Sequence, residues 1–330
     1  MNHSSRTRKG PAVLFKRMDI PLIKPDDPHK HLLDRDDAIA MAANFQDAID
    51  LVNELVNYGT NLVVRAFASS HRDLKAICVL FVQLRQFLTH LDGVSVLLAT
   101  GNCGTADLQL RSLLEGAHLI EWTLAKDIEA KIQHLYVANL RRRREWDNSV
   151  ISGTLEFAKH FDVTAGLKIA PEDLKGVKEE AARINSILSK APFDAIDSKF
   201  EPNYQKRGFD APWYKVYSAA SIRSVADELG RLKEYTYIYS ILSGVTHGGD
   251  IWKNVFFGTG RVEISPLREL QHLPRVVQLA ATLALRVYQL ILSEFRSGEE
   301  ENFNRKYVNE WRERFLRKYE IQLTPQIMTI

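Results

Sequence analysis

The chain has 330 residues, enough for one large domain or two modest ones. Its 45% hydrophobic and 26% charged residues exclude wholesale disorder and low-complexity repeats. A net charge of +3 does not by itself indicate a nucleic-acid-binding protein, and the two cysteines, Cys78 and Cys103, cannot build a disulfide framework. We therefore expect a globular protein of the reducing cytoplasm.

The first 34 residues (1–34) are predicted to be an N-terminal arm, because they are rich in basic residues and proline and lack periodicity. No apolar stretch follows the basic residues, so we expect no secretory signal. From Asp36 onward, apolar residues recur at steps of three and four, which predicts amphipathic helices, the first of them ending at Gly59. Four helices are expected in this part of the chain, over about 36–59, 72–100, 105–126 and 127–146.

The middle of the chain, about 160–214, is predicted to be a polar and aromatic insertion. Pro171 is placed to start a helix, whereas 191–214 combines prolines with aromatic residues and is predicted to be a long loop. We expect this loop either to wrap across the helical body or to contact a protein partner.

The last third is predicted to return to helices, with one β-hairpin near 252–265. The most apolar stretch, 276–295, is interrupted by Arg286 and two glutamines, which favours a buried helix over a membrane span. The fold class is therefore all-α: a bundle of about eight helices over 35–296, followed by a C-terminal amphipathic helix within 297–330.

Polar residues lie on one stripe of the third predicted helix. At 100° per residue, Arg111, Glu115 and His118 fall within about 60° of each other on a helix that is otherwise apolar nearly all round. Charged groups on a buried helix are costly unless they are paired, so we take these three as candidate catalytic residues. Pairing of Arg111 with Glu115 purely as architecture explains the same spacing, and both interpretations stay open.

A second polar stripe lies on the helix that ends at His247. Tyr239, Ser243 and His247 share one side of it, and Gly248 and Gly249 follow, where backbone can approach a ligand closely. We take these three side chains as further candidate catalytic residues. The two polar stripes are expected to face one another, because each would then satisfy the buried groups of the other.

The segments R-S-L-L-E (111–115) and Y-S-I-L-S-G-V-T-H-G (239–248) resemble a broad family of uncharacterised bacterial all-helical proteins, a family of unknown function. The similarity covers roughly residues 40–295 and extends distantly to the HEPN group of metal-independent ribonucleases. It implies that Arg111, Glu115, Ser243 and His247 lie together. Arg111 and His118 have about the spacing of the HEPN Arg and His, but about two such pairs are expected by chance in this chain.

Two further sets of residues carry weaker chemical signals. Glu115-x-x-His118 and Glu269-x-x-His272 have the spacing of di-iron carboxylate bundles, which also need carboxylates from two more helices. We make this the weaker alternative and expect no metal or other cofactor, since nucleotide-binding and hydrolase motifs are lacking too. The run Arg141, Arg142, Arg143 and Arg144 is a candidate RNA-binding surface, or simply a solvated helix face.

Together these signals predict a cytoplasmic bacterial protein with a buried polar pocket, an effector of the defence or toxin type that acts on RNA. His118 or His247 would be the general acid or base, and Arg111 would hold a phosphate. The competing hypothesis is a non-enzymatic helical interaction or scaffold protein. Its protein partner would bind 191–214 or the C-terminal helix, a homodimer is compatible with either hypothesis, and no membrane contact is expected.

Overall fold

The computed structural model describes residues 27–30, 32–68, 74–164, 169–247, 254–258, 261–319 and 328–329. Most of the predicted N-terminal arm lies outside these ranges. The all-α prediction is confirmed. The helices that begin the fold are α1 (Arg35–Ala43), α2 (Gln46–Ala68), α3 (Leu74–Ala99), α4 (Cys103–Ala125) and α5 (Ile128–Asn148).

The rest of the fold has more helices than the eight expected, because several of them are short. The middle of the chain forms α6 (Leu155–Lys159), α7 (Phe161–Thr164), α8 (Pro171–Leu188), α9 (Phe193–Arg207), α10 (Trp213–Tyr217) and α11 (Ile222–Glu228). The last part forms α12 (Leu232–His247), α13 (Leu273–Phe295), α14 (Glu300–Lys306) and α15 (Arg312–Leu316), with a π-helical turn, Tyr307–Trp311, between the last two.

Short strands lie near the segment for which a hairpin was predicted. They are β1 (Val255–Gly258) and β2 (Arg261–Ile264), which pair antiparallel with Val255 opposite Ile264. A two-residue strand, β3 (Met328–Thr329), pairs antiparallel with the other side of β2.

The main core is formed by α2, α3, α4 and α13. Among the described residues, α13 is the one helix long and apolar enough to cross a membrane, yet its apolar side is buried against α2 and α4. Tyr288 of α13 is fully buried and donates a hydrogen bond to the Leu55 carbonyl of α2, at 2.7 Å. Packing in the protein core therefore accounts for the apolar sequence of α13.

Gly59 does not end a helix, contrary to the prediction. It lies inside α2, at the point where Tyr288 and Leu88 approach the backbone so closely that a Cβ would overlap both side chains. The predicted helix 36–59 is instead divided at Asn44 and Phe45, between α1 and α2. Glycine is needed here for close packing and not for a turn.

A second core surrounds α5, and it corrects the prediction of a loop at 191–214. Ile196 and Phe200 of α9 are buried against α5, as are Ile184 and Leu188 of α8. In each helix the two residues are four apart, which places them on one helix face. Two aromatic residues of the insertion, Phe200 and Trp213, are therefore part of the second core, whereas Phe209 is exposed.

The C-terminal helices α14 and α15 pack on α2. Trp311 is fully buried, and its indole N–H donates to Glu54 of α2 at 2.9 Å. Arg314 donates to the same carboxylate at 2.7 and 2.9 Å, and these hydrogen bonds lower the pKa of Glu54. The buried side of this amphipathic segment therefore packs against α2 of the same chain.

Candidate functional site

The polar stripes of α4 and α12 lie against each other. Arg111 of α4 donates from Nη2 to the Tyr239 hydroxyl of α12 at 2.6 Å, and its guanidinium carbon lies 4.7 Å from the centre of the Tyr239 ring. The Nε atom of Arg111 lies 3.4 Å from a carboxylate oxygen of Glu115, one turn further along α4. Three of the predicted site residues are therefore in direct contact.

Aromatic rings connect Arg111 to His118. Tyr239 stacks on Tyr235 with ring centres 4.9 Å apart, and the edge of His118 meets Tyr235 at 5.9 Å. His118 is fully buried. Its Nδ1 lies 2.8 Å from the Leu114 carbonyl, which only accepts hydrogen bonds, so Nδ1 carries the proton. The Nε2 atom is then unprotonated and lies 3.7 Å from a carboxylate oxygen of Glu234.

Beyond His118 the polar contacts become ion pairs. Glu234 of α12 accepts from Arg286 of α13 at 2.8 and 2.9 Å, and Glu121 of α4 accepts from Arg231 at 2.7 and 2.9 Å. Arg286 Nε lies 3.5 Å from Glu121, so the two pairs form one network. We refer to the whole row as the polar ladder: Arg111, Tyr239, Tyr235, His118, Glu234, Arg286, Glu121 and Arg231.

Sequence reasoning missed the ionic half of the polar ladder. Arg286 was noted only as an interruption of an apolar stretch. Glu121 was not singled out, although it lies three residues after His118, just as His118 lies three residues after Glu115. The signal that could have found it is a lone charge on a helix that is otherwise buried, because such a charge requires a partner.

Acid is expected to destabilise the protein through His118. Burial and the nearby Arg286 hold the pKa of His118 below its ordinary value. In the unfolded chain the pKa returns to about 6.5, so stability is complete above that pH and falls below it, because only the unfolded chain takes up the proton. We expect the free energy of unfolding to fall by up to about 1.4 kcal/mol per pH unit from this group.

The measurement is urea unfolding of the full chain at pH 7.5 and pH 5.5, for the wild type and for His118→Leu. The pKa of His134 is also lowered by burial, so His134→Leu serves as the matched comparison. Each variant should lose part of the acid sensitivity. An unchanged pH dependence in His118→Leu would contradict the buried neutral imidazole.

The Arg111 end of the polar ladder reaches solvent, whereas His118, in the middle of the ladder, does not. The Glu115 side chain is 34% exposed and the Arg111 side chain 20% exposed. Tyr214 of α10 also lies on this side. Burial raises the pKa of its hydroxyl, and the negative charge of the nearby Glu115 raises it further. Arg111 Nη1 is buried and makes no hydrogen bond within the described part of the chain.

The structure shows less about the two remaining candidate catalytic residues of α12, Ser243 and His247. Ser243 lies one turn beyond Tyr239 and is half-buried. His247 is the last residue of α12, and its side chain lies outside the described residues, as do Gly248 and Gly249. The structure therefore brings Arg111, Glu115 and Tyr239 together and places the ring of Tyr235 between Tyr239 and His118.

The metal alternative lacks its ligands. Within the described ranges, no group of three or more His, Cys, Asp or Glu side chains is arranged to hold a metal ion. His118 contacts Glu234 and Tyr235, whereas Glu115 contacts Arg111. Glu115 and His118 therefore do not face a common site. Glu269 and His272 approach each other, at 3.9 Å.

The four-arginine run has one buried member. Arg141 donates to Asp197 at 2.6 Å, to Glu201 at 2.8 Å and to both carboxylate oxygens of Asp210, at 2.8 and 3.0 Å. Burial alone would lower the pKa of Arg141, but these hydrogen bonds outweigh it and raise the pKa. Arg141 therefore joins α5 to α9 and to the segment after α9. Because it is buried and its donors are bound to carboxylates, it is not placed to bind RNA.

The other three arginines are also near acidic groups. Arg143 pairs with Glu180 at 3.2 Å, and Arg144 lies 3.8 Å from Asp197. Arg142 is exposed and has no ion pair with another described residue. A polar cleft of about 240 Å³ lies beside the run, and four carboxylates and two arginines line it: Glu145, Glu156, Glu201, Asp210, Arg141 and Arg144. That excess of negative charge disfavours a phosphate at this place.

The fold and the polar ladder define an all-α protein with a polar seam between two central helices. The chain belongs to DUF5677, a family of unknown function, whose model matches residues 61–259. That match spans α3 to α12 and all six candidate catalytic residues, so the resemblance to an uncharacterised family is confirmed. The family match does not support the expected distant similarity to the HEPN ribonucleases. No curated protein and no solved structure matches the chain.

Proposed function

We propose that the solvent-reaching end of the polar ladder binds a phosphate-bearing ligand, and that this ligand is RNA. The observation that carries the proposal is the state of Arg111. Tyr239 and Glu115 hold two of its nitrogen atoms, while the buried Nη1 has no hydrogen-bond partner among the described residues. A fixed guanidinium with an unused donor is suited to bind a phosphate oxygen.

The tyrosines beside Arg111 support RNA as the ligand class. Tyr239 and Tyr235 present stacked rings, and Tyr214 lies near Glu115. Proteins that bind single-stranded RNA combine phosphate-binding side chains with aromatic faces on which bases stack. Tyr235 is buried and the two rings stack on each other, so the half-buried Tyr214 is the aromatic residue that remains for a base beside Arg111.

His247 is the proposed general acid or base, in place of His118. His118 is fully buried behind Tyr235, so a substrate could reach its Nε2 only if the core opened. His247 ends the helix that carries Tyr239, about 12 Å further along its axis. The proposal thus assigns phosphate binding to Arg111, proton transfer to His247, and a cytoplasmic role of the bacterial defence or toxin type to the protein.

The test is RNA binding and cleavage by the purified full chain, measured beside thermal unfolding of each variant. We expect His247→Ala to lower cleavage by about 10²–10⁴-fold, as for loss of a general acid or base, with little change in stability. Arg111→Lys should weaken RNA binding, because lysine cannot keep the Tyr239 and Glu115 contacts while it binds a phosphate. Tyr237→Phe is the control on the same helix, since Tyr237 is 70% exposed.

The non-enzymatic alternative has its own supporting observation. The ionic half of the polar ladder, from Glu234 to Arg231, closes on itself through ion pairs, as a purely structural network would. If activity and RNA binding decline only in proportion to stability across Arg111→Lys and His247→Ala, the scaffold hypothesis is the better one.

A further inference from the structure

One face of α3 is exposed and carries a regular pattern of side chains. Val82, Arg85, Thr89, Asp92 and Val96 follow one another at steps of three and four, so they lie on one side of the helix. Val82 is 60% exposed and Val96 is 56% exposed, so this face leaves two apolar side chains in solvent. We call these five residues the α3 face.

The α3 face lies beside an apolar cleft between α2 and α3. The cleft has a volume of about 650 Å³, and Val56, Thr60, Val63 and Phe67 of α2 line its far wall. The side chains along both walls are mainly apolar, with Arg85 and Asp92 as the charged exceptions. An exposed apolar surface with few charges is typical of a protein–protein contact.

The two charges of the α3 face are unpaired within the described chain. Neither the Arg85 guanidinium nor the Asp92 carboxylate forms an ion pair or a side-chain hydrogen bond with a described residue. They lie on opposite sides of Thr89, four residues before it and three residues after it. Val82 and Val96 lie seven residues before and after Thr89, so the two valines are symmetric about Thr89, and the two opposite charges are symmetric about it to within one residue.

From this symmetry we infer that the α3 face binds a second copy of this chain, with the two α3 helices antiparallel about a two-fold axis at Thr89. An antiparallel pairing places Val82 opposite Val96 of the second copy and Arg85 next to its Asp92, and the symmetry repeats both contacts. Threonine at the axis is small enough for the helices to approach to about 8–10 Å.

Charge complementarity is what favours a second copy over another partner. An unrelated amphipathic helix would require only an apolar stripe, whereas this face carries a positive charge four residues before its centre and a negative charge three residues after it, which an antiparallel copy brings side by side. Self-complementarity of that kind is the property of an isologous interface. Neither the α3 face nor the cleft beside it includes a residue of the polar ladder, so the inference does not depend on the proposed function.

The first test is sedimentation equilibrium of the full chain, with the charges changed singly and together. We expect the wild type to dimerise and Arg85→Glu to raise the dissociation constant by about tenfold, because each dimer then holds two repulsive pairs with Asp92. Arg85→Glu combined with Asp92→Arg should restore dimerisation to near the wild-type constant. Arg223→Glu, an exposed arginine of α11, is the matched control and should leave it unchanged.

The second test fixes the register. In a Cys78→Ser background, which removes the exposed cysteine, Thr89→Cys should form a reducible covalent dimer with oxidised glutathione, because the two introduced thiols would meet at the axis. Gln86→Cys, exposed but away from the axis, should cross-link far less. A wild type that stays monomeric at all concentrations overturns the inference, and so does a dimer that both the charge reversal and the restoring pair leave unchanged.

Discussion

Arg141→Ala is expected to lower the free energy of unfolding by about 3–5 kcal/mol, since removing one partner of a buried ion pair leaves uncompensated charge. The variant would leave Asp197 and Asp210 without their buried counter-charge, and Glu201 would lose the same partner. The three carboxylates belong to α9 and the segment after it, so α9 should loosen from α5 first. Urea unfolding followed by circular dichroism measures the change.

Arg142→Ala is the matched control, because it removes the same side chain one residue further along α5. Arg142 is exposed and has no ion pair with a described residue, so the change should stay within about 0.5 kcal/mol. Equal losses in the two variants would show that Arg141 is not the buried anchor of α9.

Much of the fold could be predicted from apolar periodicity. The helices that became α3, α4, α5 and α13 were expected near their observed bounds, because long apolar stripes at steps of three and four are specific to amphipathic helices. The stripe on α4 also indicated that Arg111 and Glu115 needed partners. What it could not provide was the partner, since Tyr239 lies 128 residues away in sequence.

The middle of the chain was predicted less well, for a specific reason. Pro192 and Pro202 suggested a loop, yet Pro202 lies inside α9, where the buried side chains of Ile196 and Phe200 hold the helix against α5. Tertiary packing outweighs the local cost of a proline when the helix face is this apolar. The stripe of α9 was present in the sequence, but the prolines and aromatic residues concealed it.

The arginine run shows the same limit for charges. Four consecutive arginines look alike in sequence, but successive residues of a helix point about 100° apart. Arg141 therefore faces the second core while Arg142 faces solvent. Which member is buried depends on where α9 packs, and that is a property of the fold.

Glu121→Ala is expected to have the second large effect, about 3 kcal/mol of lost stability. Glu121 is largely buried, accepts two hydrogen bonds from Arg231 and lies 3.5 Å from Arg286. Its removal would leave two guanidinium groups near one remaining carboxylate, that of Glu234. The cost comes mainly from Arg286, whose side chain is 14% exposed and whose charge stays behind when Glu121 is removed. Arg231, at 32% exposed, is partly screened by solvent. Urea unfolding of the full chain at pH 7.5 measures the loss.

Glu115→Ala is the control on the same helix, and it separates burial from mere pairing. Glu115 also faces an arginine, but it is 34% exposed and lies 3.4 Å from Arg111, which Tyr239 holds independently. Solvent screens such a pair, so we expect a loss below about 1 kcal/mol. If Glu115→Ala proves as destabilising as Glu121→Ala, the Arg111 end of the polar ladder is closed to water. An end without water would leave no room for the proposed ligand.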